Sequence, residues 1–543
     1  MVPTIFEIVP GKLYHASGFQ LCSTLIIIGE DGLIIVDPGG NDTAAANTRR
    51  AFEPFSTLPV AAVVYTHRHP DHAFGSAGWG VTQEQVDSGK VQIVAGEKFV
   101  ENLVNDTGVV GTILTQRTAY SGPYCPRGED GWVQIALGPS FTAGALSLFL
   151  PTTKVPEFEP LPMTISGVDI EFFGAYGDAG TDEICLYLPA YRHLHGSETI
   201  QGETFPNLYT LRGTSFRDPS KWFEGVDRLI PYAQESDTYS GSHMRAWVGN
   251  DFIVERIVNY RDAIQYVFDQ TIYWINKGYK VEQLPEAVVL PDQFASDPWL
   301  MEFYGTVAHS VRAIYAGMIG WYQGDATELA RPGFTDIARK YVDVIGGRDA
   351  VVAAATSALE DGEYGWAAEL LTHLTRVDPS DTRARNLKAE ALRSWGHLQT
   401  NIYWRDFALC GAGELDGTLD RSNAWNFADP VIVAALPTTN ILNTFRVRLN
   451  ADRAKGQQVC IGFEVTDTGE SANFHVRNQV AAFHPTAATD PDAVVRGTKS
   501  EILAAFADGD VPPAAEGDDA AVATFFGLLD DFTPNEVNLV LPN

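Results

Sequence analysis

Cysteine is scarce in this sequence, with only five residues, at positions 22, 125, 185, 410 and 460. Their number is odd, they are widely spaced, and they include no Cys-x-x-Cys pair. A disulfide framework needs an even set of cysteines, and thiolate zinc sites need close pairs. The sequence therefore indicates neither a disulfide framework nor a thiolate zinc site.

The chain also has few positively charged residues. The chain carries 38 lysines and arginines against 69 aspartates and glutamates, which gives a formal net charge of −31. Nucleic acids and anionic membrane surfaces are bound through basic surfaces. We therefore expect neither as a partner. A small anionic substrate stays compatible with this charge, because it responds to the local field of metals and arginines.

Long apolar runs are missing as well. Runs such as Thr24–Ile28 are far shorter than the roughly 20 residues that a helix needs to cross a bilayer. The first twenty residues lack a basic segment followed by an apolar one, the pattern of a secretory signal. We expect a cytoplasmic protein with no membrane span.

The length of 543 residues predicts two to four domains. Up to about residue 250 the chain has short strands separated by turns and helical stretches. Leu21–Ile28 and Leu33–Val36 form a predicted hairpin around Asp31-Gly32. Val60–Tyr65 is a continuous apolar run, typical of a strand buried on both faces. This pattern predicts an α/β sandwich of sheets covered by helices over residues 1–250.

The pattern changes after residue 250. Apolar residues from Ile253 to Ile275 recur at helical spacing, and Gly362–Leu392 resembles a helical hairpin of the tetratricopeptide kind. We therefore predict a helical domain over residues 251–398. Alternating strand patterns return at Phe445–Leu449 and Val459–Val465, which predicts an α+β domain over residues 399–543. Residues 485–517 are rich in Ala, Asp and Pro, and we expect a loose surface segment there.

Four metal-binding side chains lie within six residues, directly after the Val60–Tyr65 strand. They are His67, His69, Asp71 and His72. A turn at a strand end can aim two histidines at one ion and the following Asp and His at a second. Imidazole and carboxylate ligands suit zinc or other borderline divalent ions. Two such ions could polarise an ester and hold a hydroxide at neutral pH, so the sequence predicts a two-metal hydrolase.

The segment Thr66-His67-Arg68-His69-Pro70-Asp71-His72 resembles the metal-binding motif of the metallo-β-lactamase superfamily. Other segments along nearly the whole chain resemble its alkylsulfatase branch: Ala95–Phe99, Thr115–Tyr120, Tyr209–Gly213 and Tyr304–Ser310. The resemblance implies a metallo-β-lactamase αββα sandwich, an all-α dimerisation domain and an α+β sterol-carrier-like domain. It also implies a homodimer. The implied reaction is hydrolysis of alkyl sulfate monoesters to alcohol and inorganic sulfate by a metal-bound hydroxide at two Zn²⁺ ions.

The resemblance also implies a set of metal ligands. His67 and His69 would bind the first ion, and Asp71 and His72 the second. Glu198 would bridge or join the pair, and the second ion would be completed by His243.

One ligand position departs from the family. Alkylsulfatases carry Pro-Gly-Thr-Glu, with the glutamate on the first metal, where this chain has the loop Tyr176–Glu183. Ala179 stands at the position of that glutamate and cannot bind a metal. Asp178, directly after Gly177, is our first candidate for the missing ligand, and Asp182 is the second.

Residues expected to contact the substrate also follow from the resemblance. Arg212 matches the arginine that contacts sulfate in the family, and Asn207 matches a nearby asparagine. Arg217 and Tyr120 occupy family positions near the active site; for Arg217 a surface ion pair is the alternative. We expect Arg212, Asn207 and Arg217 to bind the substrate, and the catalytic residues to be Asp71, Arg212, Asn207 and Tyr120. The family's histidine before the asparagine is replaced by Pro206.

Several alternatives remain open from sequence. Asp37 could orient a ligand histidine, or it could be a plain turn aspartate before Pro-Gly. We expect His193 and His195 to be exposed turn residues. The substrate is expected to be a small anionic ester with an apolar chain. Other ester classes (thioester, lactone or phosphoester) and a non-catalytic lipid-binding protein remain alternative functions, and neither the cleaved bond nor the alkyl preference follows from sequence.

Overall fold

The structure is a computed structural model that describes residues 2–132, 134–139, 142–422, 429–507, 509–510, 513–532 and 537–542. Its contacts divide the chain into two compact units. The first unit consists of Met1–Phe99, Gln116–Trp425 and Val537–Asn543. The second consists of Val100–Thr115 and Asn426–Glu536.

The first unit contains a seven-stranded sheet whose strands follow one another in chain order. Neighbours pair antiparallel as far as the fourth strand and parallel from there on. The strands are β1 (Thr4–Val9), β2 (Leu13–Ser17), β3 (Thr24–Ile28), β4 (Leu33–Val36), β5 (Val60–Val64), β6 (Gln92–Gly96) and β7 (Thr153–Val155). The predicted hairpin is confirmed as β3 and β4, and the predicted apolar strand as β5.

A six-stranded sheet of the same unit has the order β13-β12-β11-β10-β9-β8. Its pairs are antiparallel except for β11 and β12, which run parallel. The strands are β8 (Leu161–Ile165), β9 (Val168–Gly174), β10 (Ile184–Leu188), β11 (His193–His195), β12 (Thr238–Ser240) and β13 (Trp247–Val248).

The two sheets pack face to face and carry helices on their outer faces. Successive side chains of a strand point to opposite faces. Leu25 and Ile27 of β3 therefore pack into the core between the sheets, where they join Phe172 of β9. Ile26 packs on the other side, against Phe52 of the helix that follows β4. This arrangement confirms the predicted αββα sandwich.

Helices of the first unit complete the sandwich: α1 (Asp42–Phe52), α2 (Pro70–Ala73), α3 (Gln83–Asp87) and α6 (Pro219–Gln234). Two further helices, α4 (Phe99–Val104) and α5 (Gly111–Ala119), include residues of the second unit. The side chain of Asn41 caps α1 by accepting from the N–H of Ala44 at 2.8 Å. Asp218 caps α6, and Pro219 occupies its first turn, where a missing N–H costs nothing. Trp222 and Leu229 of α6 pack onto the outer face of the six-stranded sheet.

The rest of the first unit is helical. Its helices are α7 (Asn250–Asn276), α8 (Leu284–Ala287), α9 (Asp292–Ala295), α10 (Val307–Ile319), α11 (Phe334–Ile345), α12 (Arg348–Glu360), α13 (Tyr364–Val377), α14 (Thr382–His397) and α15 (Ile402–Asp416). The long helix predicted after residue 250 is confirmed as α7, and the predicted helical hairpin as α13 and α14. Leu371 and Leu387 of this hairpin share a core with Val351 of α12.

The second unit has a five-stranded sheet of order β16-β15-β14-β17-β18. The strands are β14 (Val459–Val465), β15 (Ser471–Arg477), β16 (Val480–His484), β17 (Ala493–Gly497) and β18 (Glu516–Gly517), and the helices are α16 (Pro430–Ala435), α17 (Thr438–Thr444), α18 (Lys499–Ala507) and α19 (Asp519–Gly527). The phenylalanines of its core include Phe463, Phe474 and Phe525. An α+β architecture is therefore confirmed for this part of the chain.

Two local predictions for this unit are wrong. Phe445–Arg448 is a turn of 3-10 helix rather than a strand, and Arg448 donates to the carbonyls of Asp530 and Phe506. Residues 485–517 contain β17 and α18, although residues 508 and 511–512 lie outside the described part of the chain. Among the helices of the described residues, none has the length and apolarity needed to cross a bilayer.

Candidate metal centre

The predicted metal ligands leave strands at the same edge of each sheet. β4 and β5 run parallel, so the segments that follow them, Asp37 and the Thr66–His72 turn, lie side by side. A hydrogen bond from the N–H of Asp37 to the carbonyl of Val64 joins the two strand ends, at 2.9 Å. In the facing sheet, Glu198 follows β11 and His243 follows its parallel neighbour β12. Residues 175–183 connect β9 to β10 and supply Asp178.

A first cluster of buried side chains contains His67, His69, Asp178 and Glu198, with one ligand atom of each within 4.8 Å of the others. Nε2 of His67 lies 2.9 Å from Nδ1 of His69 and 3.3 Å from Oε2 of Glu198. Nδ1 of His69 lies 3.2 Å from Oδ2 of Asp178. Two imidazole nitrogens and two carboxylate oxygens thus face one another, which is a donor set suited to a divalent ion.

A second cluster contains Asp71, His72 and His243, again with their ligand atoms within 4.8 Å. Oδ2 of Asp71 lies 3.2 Å from Nε2 of His72 and 3.4 Å from Nε2 of His243. The two Nε2 atoms are 3.2 Å apart. All seven residues predicted as ligands therefore lie in these two clusters.

Glu198 joins the two clusters through its two carboxylate oxygens. Oε2 faces His67 of the first cluster, whereas Oε1 contacts Nε2 of His243 in the second. Oε1 also lies 3.9 Å from Nε2 of His72. A single carboxylate thus faces both clusters.

The ring orientations of three histidines follow from their outer hydrogen bonds. A carboxylate oxygen only accepts, so Nδ1 of His72 donates to Oδ2 of Asp37 at 2.8 Å. Nδ1 of His243 faces the carbonyls of Leu21 and Leu137 at 3.2 and 3.1 Å, which also only accept.

For His67, Nδ1 lies 3.0 Å from Oγ1 of Thr66, and that hydroxyl itself donates to Asp37. Each of the three histidines therefore keeps Nε2 free toward the clusters, which is the usual effect of outer partners in metal sites.

Asp37 acts as the common acceptor behind these ligands. Its carboxylate accepts from His72, from the hydroxyl and N–H of Thr66, and from the hydroxyl of Ser242. The residue has a φ of 55°, in the left-handed region that side chains rarely adopt. Ser197, next to Glu198, has a φ of 53°. Such strain persists only where the surroundings determine it, and here both residues adjoin the ligands. Of the two alternatives for Asp37, the structure supports the one in which it orients a histidine.

The electrostatics of the buried clusters favour positive charge. Burial alone would lower the pKa of His72, yet the nearby carboxylates of Asp71 and Asp37 outweigh it and raise that pKa well above its ordinary value. Burial would likewise raise the pKa of Glu198, but the facing His243 holds it well below the ordinary range. Buried carboxylates need a cationic partner or a metal. The residues present therefore fit bound cations.

Contacts in the loop at residues 175–183 distinguish Asp178 from Asp182 as the displaced ligand. Oδ2 of Asp178 faces His69, while its Oδ1 accepts from Nε2 of Gln201 at 2.7 Å and from the guanidinium of Arg217. Asp182 is directed elsewhere, since its carboxylate accepts from the guanidinium of Arg68 at 2.6 Å and from the N–H of Arg68 at 2.9 Å. The structure thus brings Asp178 into the cluster, and it pairs Asp182 with an arginine.

The residues expected to contact substrate occupy different positions. Nη2 of Arg212 lies 3.1 Å from Nε2 of His69, so this guanidinium borders the first cluster. Asn207 is fully buried. Arg217 is also buried, and it donates to Asp178 and to the carbonyl of Asn207 at 2.8 Å. Its observed hydrogen bonds go to protein acceptors in the interior, so it is not a surface ion pair, and its contact with substrate stays a prediction.

The hydroxyl of Tyr120, a predicted catalytic residue, has a partner within the protein. It donates to the carboxylate of Glu414 in α15, and the ring of Tyr120 packs beside Tyr124 and Phe407. The same carboxylate of Glu414 also accepts from backbone N–H groups near the C-terminus, such as that of Leu539. These contacts give Tyr120 a packing role, and its catalytic role stays a prediction.

Sequence reasoning missed three residues of the hydrogen-bond network around Asn207: Gln201, His309 and Trp404. Gln201 connects Asp178 to the backbone of Asn207, and His309 lies 3.1 Å from the side chain of Asn207. Trp404 in turn lies beside His309. The only signal in sequence was the Tyr304–Ser310 motif, which contains His309 but does not indicate its partner.

The prediction for His193 and His195 is wrong. Both residues lie in β11 and are fully buried. Their rings contact the hydroxyl of Ser240 in the neighbouring strand at 2.9 and 2.8 Å.

Comparison with known proteins agrees with this architecture. Three family models match the chain: the metallo-beta-lactamase superfamily over residues 17–82, alkyl sulfatase dimerisation over residues 280–418, and alkyl sulfatase C-terminal over residues 426–542.

Two relatives from Pseudomonas sp. match along most of their length. A linear primary-alkylsulfatase is 36% identical over 528 residues, covering 93% of this chain and 98% of the relative. An (R)-specific secondary-alkylsulfatase is 28% identical over 555 residues, covering 99% of this chain and 82% of the relative.

A solved structure gives the same result for the fold. The stereoselective inverting sec-alkylsulfatase from Pseudomonas sp. is 27% identical and superposes with a TM-score of 0.92. The match covers 100% of this chain and 86% of the solved one.

Proposed function

Because the chain belongs to the alkylsulfatase family, we propose that it is a metal-dependent hydrolase that converts alkyl sulfate monoesters into an alcohol and inorganic sulfate. The observation that carries this proposal is the pair of buried clusters joined by Glu198, with the guanidinium of Arg212 at their border. The net charge of −31 argues against nucleic acid as a partner, whereas a small anionic ester responds to the local field of metals and arginines.

Two Zn²⁺ ions are the proposed cofactors. His67, His69 and Asp178 would hold the first ion, Asp71, His72 and His243 would hold the second, and Glu198 would serve both. When bound, such ions neutralise charge on an anionic ester and lower the pKa of a coordinated water. The donor atoms are imidazole nitrogens and carboxylate oxygens, which supports zinc or a similar borderline ion.

The protein's own residues bind and orient the sulfate group in this proposal. Arginine presents a planar fork of donors that matches the oxygens of an oxyanion. Arg212 would hold the sulfate beside the first cluster, and Asn207 would offer it an amide. Arg217 and Gln201 hold Asp178 so that its second oxygen stays directed at His69. Asp71 would contribute to catalysis as a ligand of the second ion.

An apolar cavity supports an ester with an alkyl chain. It has a volume of about 960 Å³ and begins at Leu211, next to Arg212. Its apolar lining includes Leu392, Trp404, Phe407 and Val540. We propose that this cavity receives the alkyl chain of the substrate while the sulfate lies at Arg212.

A homodimer is the proposed assembly. The segment that matches the alkyl sulfatase dimerisation model carries large apolar side chains exposed to solvent, such as Ile319, Trp321 and Phe334, which are 52%, 70% and 58% exposed. Exposed apolar patches of this kind are covered by partner surfaces. Light scattering coupled to size-exclusion chromatography should give about twice the chain mass of 59.3 kDa.

A substrate panel tests the proposed function against its competitor. Pro206 and the shorter Asp178 replace family residues at the anion-binding side, so a thioester, lactone or phosphoester is the second candidate substrate. Zinc-loaded protein is assayed with dodecyl sulfate, 2-octyl sulfate, p-nitrophenyl phosphate, a fatty acyl thioester and a lactone.

Sulfate release that increases with alkyl length supports the proposal. Cleavage of another ester without sulfate release would replace it, and tight fatty-ligand binding without metal would indicate a lipid-binding protein.

A further inference from the structure

The side-chain amide of Asn207 is fully buried, and its two ends differ in their partners. Oδ1 lies 3.1 Å from Nε2 of His309. Nδ2 has no hydrogen-bond partner among the residues that the structure describes. An unpaired buried donor is costly, so a group left in this state indicates a ligand that pairs with it.

The tautomer of His309 determines which end of that amide is free. The indole N–H of Trp404 lies 3.2 Å from Nδ1 of His309, and an indole nitrogen can only donate. Nδ1 must therefore accept. Burial lowers the pKa of His309 to about 3, so the ring is neutral and carries its single proton on Nε2. Nε2 then donates to Asn207, which requires Oδ1 on that side and leaves the NH₂ group on the other.

A second contact of His309 favours the opposite tautomer, so the hydrogen bond from Trp404 is what selects the tautomer. The backbone N–H of Thr306, which caps α10, lies 3.3 Å from the same Nε2 of His309. That N–H needs an acceptor and would favour the opposite tautomer, with the proton on Nδ1. In that tautomer Nε2 could no longer donate to Asn207, and the amide could rotate to turn its oxygen outward.

Asn207 is also connected to the metal ligands through its backbone. Its N–H donates to Oε1 of Gln201 at 2.8 Å, and Nε2 of Gln201 donates to Asp178. Its carbonyl accepts from Arg217, which also donates to Asp178. Asn207 therefore belongs to the hydrogen-bond network that holds Asp178 of the first cluster.

We propose that Trp404 and His309 are positioning residues that fix the side chain of Asn207 with its NH₂ group, rather than its oxygen, toward the sulfate of the substrate. An amide N–H donates to an anionic oxygen, whereas an amide oxygen would repel it. This inference rests on the proposed function, in that it takes an oxyanion as the ligand. It assigns two residues from the helical region to the recognition of the sulfate group.

The test compares two tryptophan substitutions in zinc-loaded protein. Trp404→Phe removes the indole N–H and keeps an aromatic ring. Trp395→Phe is the matched control, because Trp395 stacks on Trp404 with a centroid distance of 5.7 Å but donates no hydrogen bond to His309. Binding of inorganic sulfate is measured by titration calorimetry, together with zinc content and the thermal midpoint.

We expect Trp404→Phe to weaken sulfate binding about tenfold, the usual scale for a hydrogen bond to a charged group. Trp395→Phe should change it less than twofold, and zinc content should stay the same in both. The loss should also appear in the inhibition constant of sulfate, which does not depend on the alkyl-chain cavity that Trp404 lines. Equal sulfate affinity in the two variants would overturn the proposal.

Two further variants separate positioning from packing. His309→Gln keeps an acceptor for Trp404 and a donor for Asn207, so it should restore most of the sulfate affinity that His309→Leu loses. In ¹⁵N-histidine spectra, the His309 signals, assigned by their loss in His309→Gln, should report a bare Nδ1 and a protonated Nε2. A protonated Nδ1 in the unmodified protein would contradict the assignment.

Failure of the proposed function is distinguishable from failure of this inference. Sulfate binding needs no turnover, so a protein that cleaves no alkyl sulfate but loses sulfate affinity in Trp404→Phe would keep the inference and reject the activity. A protein that hydrolyses alkyl sulfates with equal sulfate affinity in both tryptophan variants would reject the inference alone. No sulfate binding by the unmodified protein would reject both.

Discussion

The guanidinium of Arg217 donates to Oδ1 of Asp178, in a buried contact that leaves Oδ2 of the aspartate facing His69. Asp178 stands one position before the glutamate of the family pattern, and its side chain is one methylene shorter. Arg217 and Gln201 hold this shorter carboxylate from behind. Arg217 and Gln201 thus compensate for the shorter side chain, because they direct Oδ2 of Asp178 at the first cluster.

Removing this support should weaken the first metal site. We expect Arg217→Met to lower the affinity for the first ion about 10–100-fold, the usual effect of losing an outer partner of a ligand. The second ion should be retained, because its ligands do not contact Arg217. Zinc content after dialysis against graded chelator measures both. Loss of the two ions in parallel would contradict this division of roles.

The two aspartates of the same loop should respond differently. Asp178→Asn should reduce the zinc content by one ion per chain, and it should also lower the stability of the metal-free protein, because it removes the carboxylate charge that pairs with the buried Arg217. Asp182→Asn should keep both ions but destabilise the fold by about 3–5 kcal/mol, because it removes the carboxylate charge that pairs with the buried Arg68. Metal analysis and urea unfolding of the two variants check this. Loss of an ion in Asp182→Asn alone would reverse the assignment.

Arg212 should matter for the substrate and not for the metals. Arg212→Met removes a charged donor from the border of the first cluster, worth about 1.5–3 kcal/mol to an anion. We expect kcat/KM for dodecyl sulfate to fall about 10–150-fold with two ions still bound. Arg348→Met, which removes a half-exposed arginine from α12, is the control and should leave kcat/KM unchanged. An equal effect of both substitutions would refute the role of Arg212.

A pH dependence of stability should arise from Asp406 in α15. Burial raises its pKa to about 8, and neither carboxylate oxygen has a hydrogen-bond partner among the described residues. Between about pH 4 and 8 the folded protein therefore keeps a proton that the unfolded chain releases. Stability should fall as pH rises through this window, by up to about 1.4 kcal/mol per pH unit from this group.

Asp406→Asn removes the titration while keeping a similar shape. The thermal midpoint of the variant, relative to that of the unmodified protein, should therefore increase from pH 5 to pH 8. Both proteins are measured without metal, so that metal binding does not contribute to the slope. A difference that stays constant across this range would show that Asp406 is ionised in the folded protein.

The parts of the site that could be predicted from sequence are those with a local signature. His67–His72 follow an apolar strand directly, so a strand-end turn could be inferred without knowing the fold. Glu198, His243 and Asp178 needed the family resemblance to be selected as candidates. Asp178 and Asp182 could not be separated, because the direction of each side chain depends on Arg68 and Arg217, which are distant from one another in sequence.

The contacts that support the ligands could not be predicted from the sequence. Asn207, His309 and Trp404 are about one hundred residues apart from one to the next, and each is an ordinary residue of its own segment. Tyr120 was placed at the site by family position, yet its hydroxyl is bound by Glu414, 294 residues away. In the second unit, the alternation of Phe445–Leu449 has the period of a strand, but Arg448 is turned inward by carbonyl acceptors and the segment forms a 3-10 turn.

The most direct test of the two-metal sulfatase proposal combines metal analysis with sulfate release in one preparation. Purified protein loaded with zinc is assayed by ion chromatography for inorganic sulfate from dodecyl sulfate, beside Glu198→Gln and a chelator-treated sample. The account predicts two ions per chain, sulfate release by the loaded protein, and loss of both activity and ions in the other two samples. Full sulfate release by Glu198→Gln, or none by zinc-loaded protein with two ions bound, would contradict it.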